Sequence, residues 1–393
     1  MTSDKLTVNE LFSGIGAQRK ALERLGINHE VIGICEIDKY AIQSYEAIYG
    51  ETKNYGDICT APRLDYADLW TYSFPCQDIS VAGKQQGISE NTRSGLLYQV
   101  QRLLEVAKDE GTLAKYLLLE NVKNLVGKQF KSQFKDWLFY LDELGYDTYW
   151  QVLNAKNYGI PQNRERVFAI SIRKDLNKSF EFPKPEELKL RLKDVLEDEV
   201  EEKFYLGNEK IERFIKQGNV NPSGKGMNGN VCTKDICNTL TTNKGEGLKT
   251  LQVGNYMNTT SFGGNPQCGR VYNSEGISPT LNTMQGGDRQ PKILEAGYYP
   301  YPNSDKKHQT NTVYNPKGIS PTLNATDYKN PVKVVGDIRI RKLTPLECWR
   351  LMGFDDEDFY KAQKSGVSNS QLYKQAGNSI VVNVLEKIFK NLF

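Results

Sequence analysis

The sequence predicts an α/β protein in which a mostly parallel sheet, covered by helices on both faces, is joined to a smaller β-rich module. Three observations carry this. Short apolar runs alternate with amphipathic segments up to about residue 175, the pattern of successive β-α-β units. Composition then shifts, charged from about 176 to 216 and rich in Gly, Asn, Thr and Pro from 217 to about 335. Within that second zone a short segment recurs.

In order along the chain, Leu6–Phe12, Val31–Cys35, Leu69–Phe74, Tyr116–Leu119, Tyr149–Leu153 and Val167–Ile172 read as strands. Each is a short apolar or β-branched run bounded by polar or turn residues. Ala17–Leu25 and Leu96–Ala107 carry helical periodicity. The repeat is Val271-Tyr-Asn-Ser-Glu-Gly-Ile-Ser-Pro-Thr-Leu-Asn-Thr283, echoed by Val313-Tyr-Asn-Pro-Lys-Gly-Ile-Ser-Pro-Thr-Leu-Asn-Ala325. A weaker copy, Ile236-Cys-Asn-Thr-Leu-Thr-Thr242, precedes them. Each copy reads as turn, short strand and turn, and three of them predict an irregular β module rather than a solenoid. From Arg339 the chain is compact again, and Ile380–Phe393 closes it as a strand or helix.

Composition excludes several classes. With 393 residues, 38% hydrophobic and 25% charged, the chain suits an ordinary globular protein. No apolar run reaches the length of a membrane span, and Met1-Thr-Ser-Asp-Lys5 lacks the charged-then-apolar pattern expected of a secretory signal. Seven scattered cysteines argue against a disulfide framework and for a reducing cytoplasm. Cys232, Cys237, Cys268 and His308 match no zinc-site spacing, so no metal is expected. Net charge is only +3, which by itself announces no nucleic-acid binder. The acidic run Asp194, Glu197, Asp198, Glu199, Glu201 and Glu202 reads as a solvated helix face.

Chemistry concentrates at predicted strand ends. Glu10-Leu-Phe-Ser-Gly-Ile-Gly-Ala17 ends a strand, turns on glycines and opens a helix, which lets backbone approach a nucleotide-like ligand. Glu36, ending the second strand, suits the two ribose hydroxyls, and Asp57 suits an adenine amino group. Together they make an adenosyl site. Ser73-Phe-Pro-Cys-Gln-Asp-Ile-Ser80 holds Cys76 in a stiff turn after Pro75; a buried structural cysteine is the alternative. Val81-Ala-Gly-Lys-Gln-Gln-Gly87 follows as a candidate lid hinged at Gly83 and Gly87. Glu120-Asn-Val122 puts a carboxyl at the end of another strand, suited to protonating a substrate nitrogen. In Gln162-Asn-Arg-Glu-Arg166, alternation places Gln162, Arg164 and Arg166 on one side, with the arginines as a basic edge or a surface salt-bridge ladder.

The order of these blocks resembles the cytosine-C5 DNA methyltransferase family over nearly the whole chain outside the 176–336 zone. The matches are Phe12-Ser-Gly-Ile-Gly16, Glu36, Gly56-Asp57, Pro75-Cys-Gln77, Glu120-Asn-Val122, Gln162-x-Arg164-x-Arg166, Arg341-Lys-Leu-Thr-Pro345, Glu347, Arg350-Leu-Met-Gly-Phe354 and Gln375-Ala-Gly-Asn-Ser379. Glu10 stands where the family often has Asp, and Ala17 where a third glycine is frequent.

The resemblance implies a Rossmann-like, seven-stranded S-adenosylmethionine-dependent sheet and a smaller β-rich target-recognition domain. The expected division is 1–183, completed by 372–393, for catalysis and cofactor binding. Residues 184–371 would recognise the target, with repeats near 231–242, 271–283 and 313–325. S-adenosyl-L-methionine is the implied cofactor, held by Phe12, Ser13, Gly14, Gly16, Glu36, Asp57, Ile58, Pro75, Leu97, Asn378 and Ser379. Phe12 would stack on the adenine, Glu36 bind the ribose, and Asp57 with Ile58 read the adenine edge. Cys76, Glu120, Arg164 and Arg166 are the implied catalytic residues. Cys76 would attack C6 of a flipped-out cytosine, Glu120 protonate N3, Arg164 activate the thiol and Arg166 hold the base or backbone. Double-stranded DNA is the implied partner, for a protein expected to be monomeric. The resemblance is compatible with a cognate restriction endonuclease acting as a separate protein. Two alternatives are an RNA cytosine-C5 methyltransferase, against which the missing Cys-Phe-Thr signature stands, and an inactive DNA-binding homologue, against which the intact Cys76, Glu120 and Arg164 stand.

Overall fold

A computed structural model of the chain describes residues 5–75, 93–211, 231–232, 250–255, 257, 269–274, 276–284, 289–296, 313–314, 333–334 and 339–393. The chain divides into two compact units. The first takes Met1–Ile160, Arg164–Glu187 and Trp349–Phe393, the second Pro161–Asn163 and Leu188–Cys348.

The first unit is built on β1 (Leu6–Leu11), β2 (His29–Cys35), β3 (Leu69–Tyr72), β4 (Tyr116–Val122), β5 (Tyr146–Asn154) and β6 (Glu165–Arg173), in the order β2-β1-β3-β4-β6-β5. Neighbours from β2 to β4 are parallel, whereas β6 runs antiparallel to both β4 and β5. β3 is buried at every residue, and Leu117, Leu118 and Leu119 of β4 are buried as well, as a sheet covered on both faces requires. The helices α1 (Ala17–Arg24), α2 (Lys39–Tyr49), α3 (Leu97–Asp109) and α4 (Lys131–Glu143) follow β1, β2, β3 and β4. α3 turns Leu97, Val100, Leu103, Leu104 and Ala107 inward at helical spacing.

The sequence expectation of seven strands is corrected to six among the described residues. Beyond β2, the place of a further edge strand is taken by one parallel bridge, Ile34 with Asn54. Gly56, at φ 73, turns the chain away two residues later, so no ladder extends. β4 runs on to Val122, which puts Glu120 inside the strand.

The chain passes from the second unit to the first within α5 (Pro345–Arg350) and continues as α6 (Asp356–Lys364), α7 (Asn369–Asn378) and α8 (Val382–Leu392). The closing segment is thus a helix: Val382, Leu385, Ile388, Phe389 and Leu392 form its buried stripe, and it packs on α1. The first unit resumes at Trp349, earlier than the expected residue 372. The reason is packing: the Trp349 ring meets Phe354 and Phe359, and its indole N–H donates to the Leu372 carbonyl at 3.0 Å.

The second unit holds a five-stranded sheet, β7 (Val231–Cys232), β8 (Thr250–Asn255), β9 (Arg270–Asn273), β10 (Lys292–Ala296) and β13 (Arg339–Lys342), in the order β13-β10-β9-β8-β7. β11 (Val313–Tyr314) and β12 (Lys333–Val334) pair separately. It contains an ion pair without solvent contact. Arg341 donates to both carboxylate oxygens of Glu347, at 2.9 and 2.8 Å, and Thr344 N–H and Glu197 N–H complete the acceptor set. The acidic run lies in short 3-10 turns and irregular chain, not in an α-helix: Leu192 and Val195 are drawn inward, and Glu197 is engaged with Thr344 and Glu347.

In the second repeat copy, Ser278 pairs with the segment Pro161–Asn163. Ser278 N–H donates to Pro161 O at 2.7 Å, and Asn163 N–H to Ser278 O at 2.9 Å. Residues 236–242 and 315–325 of the other copies lie outside the described residues, as do Cys237, Cys268 and His308.

Candidate active site

The strand order reverses between β1 and β3, and in open α/β sheets the crevice outside the carboxyl ends at such a point is the ligand site. The turn after β1 fills it. Phe12, Gly14 and Gly16 all have left-handed backbone, at φ 57, 55 and 74. The amides of Phe12 and Ser13 donate to Cys35 O at 2.8 and 3.4 Å, tying the turn to the end of β2. Glu36 continues that strand. Its Oε2 accepts the Gly14 N–H at 2.9 Å, and its Oε1 accepts those of Ile37 and Asp38 at 2.9 and 2.8 Å. Asp57 is exposed, with Oδ1 accepting the Cys59 N–H at 2.9 Å, and Ile58 is buried beside it. Leu97 opens α3 and is buried; at the end of α7, Asn378 is exposed and Ser379 buried.

A second cluster sits at the carboxyl ends of β3 and β4. Glu120 is nearly buried. Ser73 Oγ contacts both its backbone carbonyl, at 3.0 Å, and its Oε2. Arg166 Nε lies 3.2 Å from Oε1. Arg166 faces Val122 across the β4–β6 ladder, and Val122 shares a strand face with Glu120, so the guanidinium reaches the carboxylate diagonally. Asn121 points the other way and donates to Phe74 O at 3.0 Å. Ser73 and Phe74 are therefore both fastened to β4 immediately before Pro75. Cys76 and the lid segment Val81–Gly87 lie outside the described residues.

The expected basic edge is corrected. Arg164 is buried, with Nη2 donating to Gly377 O at 3.1 Å and Ser379 O at 2.8 Å. It thereby pins the Gln375–Ser379 motif to the start of β6. Arg164 and Arg166 share one side with Phe168, as alternation requires, and line a small open pocket with Ile380 and Val381. Gln162 is fully buried in the second unit, where its Oε1 accepts the Leu281 N–H at 3.3 Å.

The model of C-5 cytosine-specific DNA methylases matches residues 6–393. The chain belongs to that family. The methylase is 37% identical to the orphan methyltransferase M.SPBetaI of Bacillus phage SPbeta, over 99% of this chain and 97% of the relative. It is 32% identical to the type II methyltransferase M.HhaI of Haemophilus parahaemolyticus, over 98% and 93%. Among solved structures, the S. pombe Dnmt2 methyltransferase shares the fold at TM-score 0.59 and 18% identity, covering 98% of this chain and 97% of that one. The Entamoeba histolytica methyltransferase EhMeth does so at TM-score 0.61 and 17% identity, covering 100% and 98%.

The methylase is a DNA (cytosine-5-)-methyltransferase dependent on S-adenosylmethionine. Its first corner fits that cofactor. Ser13 Oγ is buried without a hydrogen-bond partner in the turn, and the space above Gly14 is open. Both are features of a cradle for a polar ligand. Among the described residues no helix is long and apolar enough to cross a membrane, and no group of three or more His, Cys, Asp or Glu is placed to hold a metal.

Two residues of the site escaped the sequence reading. Ser73 had a signal, a hydroxyl three positions before Cys76 at the end of an apolar strand. Asn54 had none. Its Oδ1 accepts the amides of Glu36 and Gly56 at 3.2 and 2.9 Å, and its Nδ2 donates to Glu36 O at 3.0 Å, joining the two acidic corners.

Proposed function

We propose that Cys76 is the nucleophile and Glu120 the acid of this methyltransferase. The observation that carries the reading is the Ser73–Glu120–Arg166 cluster, which fastens a carboxyl to the strand end that leads through Pro75 into Cys76. A cytosine stacked in a duplex hides its reacting face, so the base is swung out. Its C5 is too weak a nucleophile until the ring is activated. The Cys76 thiolate adds to C6 while Glu120 delivers a proton to N3, which leaves electron density on C5. When bound, S-adenosylmethionine supplies an electrophilic methyl group. Loss of the C5 proton to water, departure of Cys76 as thiolate and return of the N3 proton to Glu120 then restore the aromatic ring and the starting enzyme.

In this reading Arg166 orients Glu120, and Arg164 holds Gly377 and Ser379 so that Asn378 faces the cofactor. Phe12, Ser13, Gly14, Gly16, Glu36, Asp57, Ile58, Pro75, Leu97, Asn378 and Ser379 hold the cofactor, Glu36 at the ribose and Asp57 with Ile58 at the adenine edge. The second unit reads the target sequence in double-stranded DNA. The protein works as a monomer in the cytoplasm, and any cognate endonuclease is a separate protein; scattered cysteines support the reducing compartment. Bisulfite sequencing of DNA from a host expressing the enzyme tests the function and yields the recognition site. Unmodified cytosines throughout, from active cofactor-binding protein, would reject it.

A further inference from the structure

Beneath the cofactor turn lies a buried carboxyl that the proposed reaction does not use. Glu10 of β1 has no solvent exposure. Its Oε1 accepts the N–H of Arg19, in the first turn of α1, at 2.9 Å, and its Oε2 accepts the hydroxyl of Tyr45 from α2 at 2.7 Å. Gly16 sits directly on this assembly. A Cβ there would come within 2.6 Å of the Tyr49 ring and 2.7 Å of the Tyr45 ring, and Tyr49 Oη donates to Gly16 O at 2.8 Å.

Both Glu10 oxygens are acceptors in this arrangement, the pattern of a carboxylate. Protonation removes the charge that strengthens both hydrogen bonds and places an O–H donor among them, which loosens the hold on Tyr45 and on the start of α1. We propose that Glu10 is a proton-sensitive positioning residue of the cofactor turn: ionised, it clamps the start of α1 beneath Gly16, and protonation releases the clamp and weakens S-adenosylmethionine binding. The proposal rests on Phe12–Gly16 being the cofactor turn.

The surroundings allow both states near neutrality. Burial raises the Glu10 pKa to about 7, against the pull of the Tyr45 hydrogen bond and the Arg19 charge. The charged or titratable groups around it are Arg19, Lys20 and Glu23 of α1, Tyr45 and Tyr49 of α2, and Asp358 of α6, which pairs with Lys20 at 2.8 Å. On the flanking strands its register partners are the uncharged Ile34 and Thr71. The chain has two histidines, so few other groups titrate in this range.

The test is calorimetric titration of the full chain with S-adenosylmethionine, without DNA, from pH 6 to pH 8. Wild-type affinity should fall about tenfold towards pH 6, the single-proton effect of a group titrating near 7. Glu10→Gln should bind weakly across the range, and its curve subtracts the ligand's own titration. Tyr45→Phe keeps the ring under Gly16 but removes the hydroxyl donor, and should move the midpoint to higher pH; it also serves if Glu10→Gln does not fold. Glu36→Ala should lose binding at every pH. If it does, and the wild-type and Glu10→Gln curves run parallel, or the Tyr45→Phe midpoint does not move, the proposal is overturned alone. Binding that survives Glu36→Ala unchanged removes the cofactor-turn assignment and the proposal with it.

Discussion

Arg166 Nε lies 3.2 Å from Glu120 Oε1, in a pair whose side chains are 17% and 7% exposed. Arg166 Nη1 is itself held by the Glu165 carbonyl at 2.8 Å, so the guanidinium offers Glu120 a fixed positive charge on the Oε1 side while Ser73 engages Oε2. Arg166→Ala should therefore lower the single-turnover methylation rate by roughly 10²-fold, within the range of lost acid–base catalysis. DNA affinity, read by fluorescence anisotropy, should change much less. Equal losses in both would make Arg166 a binding residue instead.

Ser73→Ala should have a smaller effect of the same kind. It removes the hydroxyl that bridges the Glu120 carboxyl and carbonyl yet leaves Arg166 in place. Roughly a tenfold loss of rate is expected, given about 1–1.5 kcal/mol for one hydrogen bond. Ser73→Thr should restore most of it.

Cys76→Ala should abolish methylation while leaving S-adenosylmethionine binding intact. Wild-type enzyme should form a covalent adduct with duplex DNA carrying 5-fluorocytosine at the target, since that ring has no C5 proton to lose. An adduct that persists in the variant, seen on a denaturing gel, would assign the nucleophile elsewhere.

Glu347→Ala should destabilise the second unit by about 3–5 kcal/mol, because it strands the buried Arg341 charge. Urea unfolding measures this directly. A loss below about 1 kcal/mol would mean that water reaches the guanidinium.

Stability should also carry the signature of Glu10. Its folded pKa is raised by burial from 4.5 to about 7, so between those values the folded state binds more protons than the unfolded one. Stability contributed by the neutral form is full below about pH 4.5 and is lost as pH rises through 7, by roughly 3 kcal/mol. Glu10→Gln should flatten this slope in cofactor-free protein. Parallel wild-type and variant curves from pH 5 to pH 8 would show that Glu10 does not titrate there.

The fold class and the strand ends that carry chemistry follow from local sequence pattern alone. β-α alternation and glycine turns are local, so Phe12–Gly16, Glu36 and Glu120 fell at the carboxyl ends of β1, β2 and β4 or beside them without any knowledge of pairing. What those residues touch depends on how distant segments pack. Arg166 reaches Glu120 only because β6 is antiparallel to β4 in the register that sets Arg166 against Val122. Gln162 comes to accept the Leu281 N–H because Ser278, far along the chain, pairs with its neighbours. Arg164 became an internal anchor because Gly377 and Ser379 return to its side, and Glu10 became buried because α2 lays Tyr45 across it. Each depends on strand register or helix docking between distant segments, which side-chain periodicity does not encode.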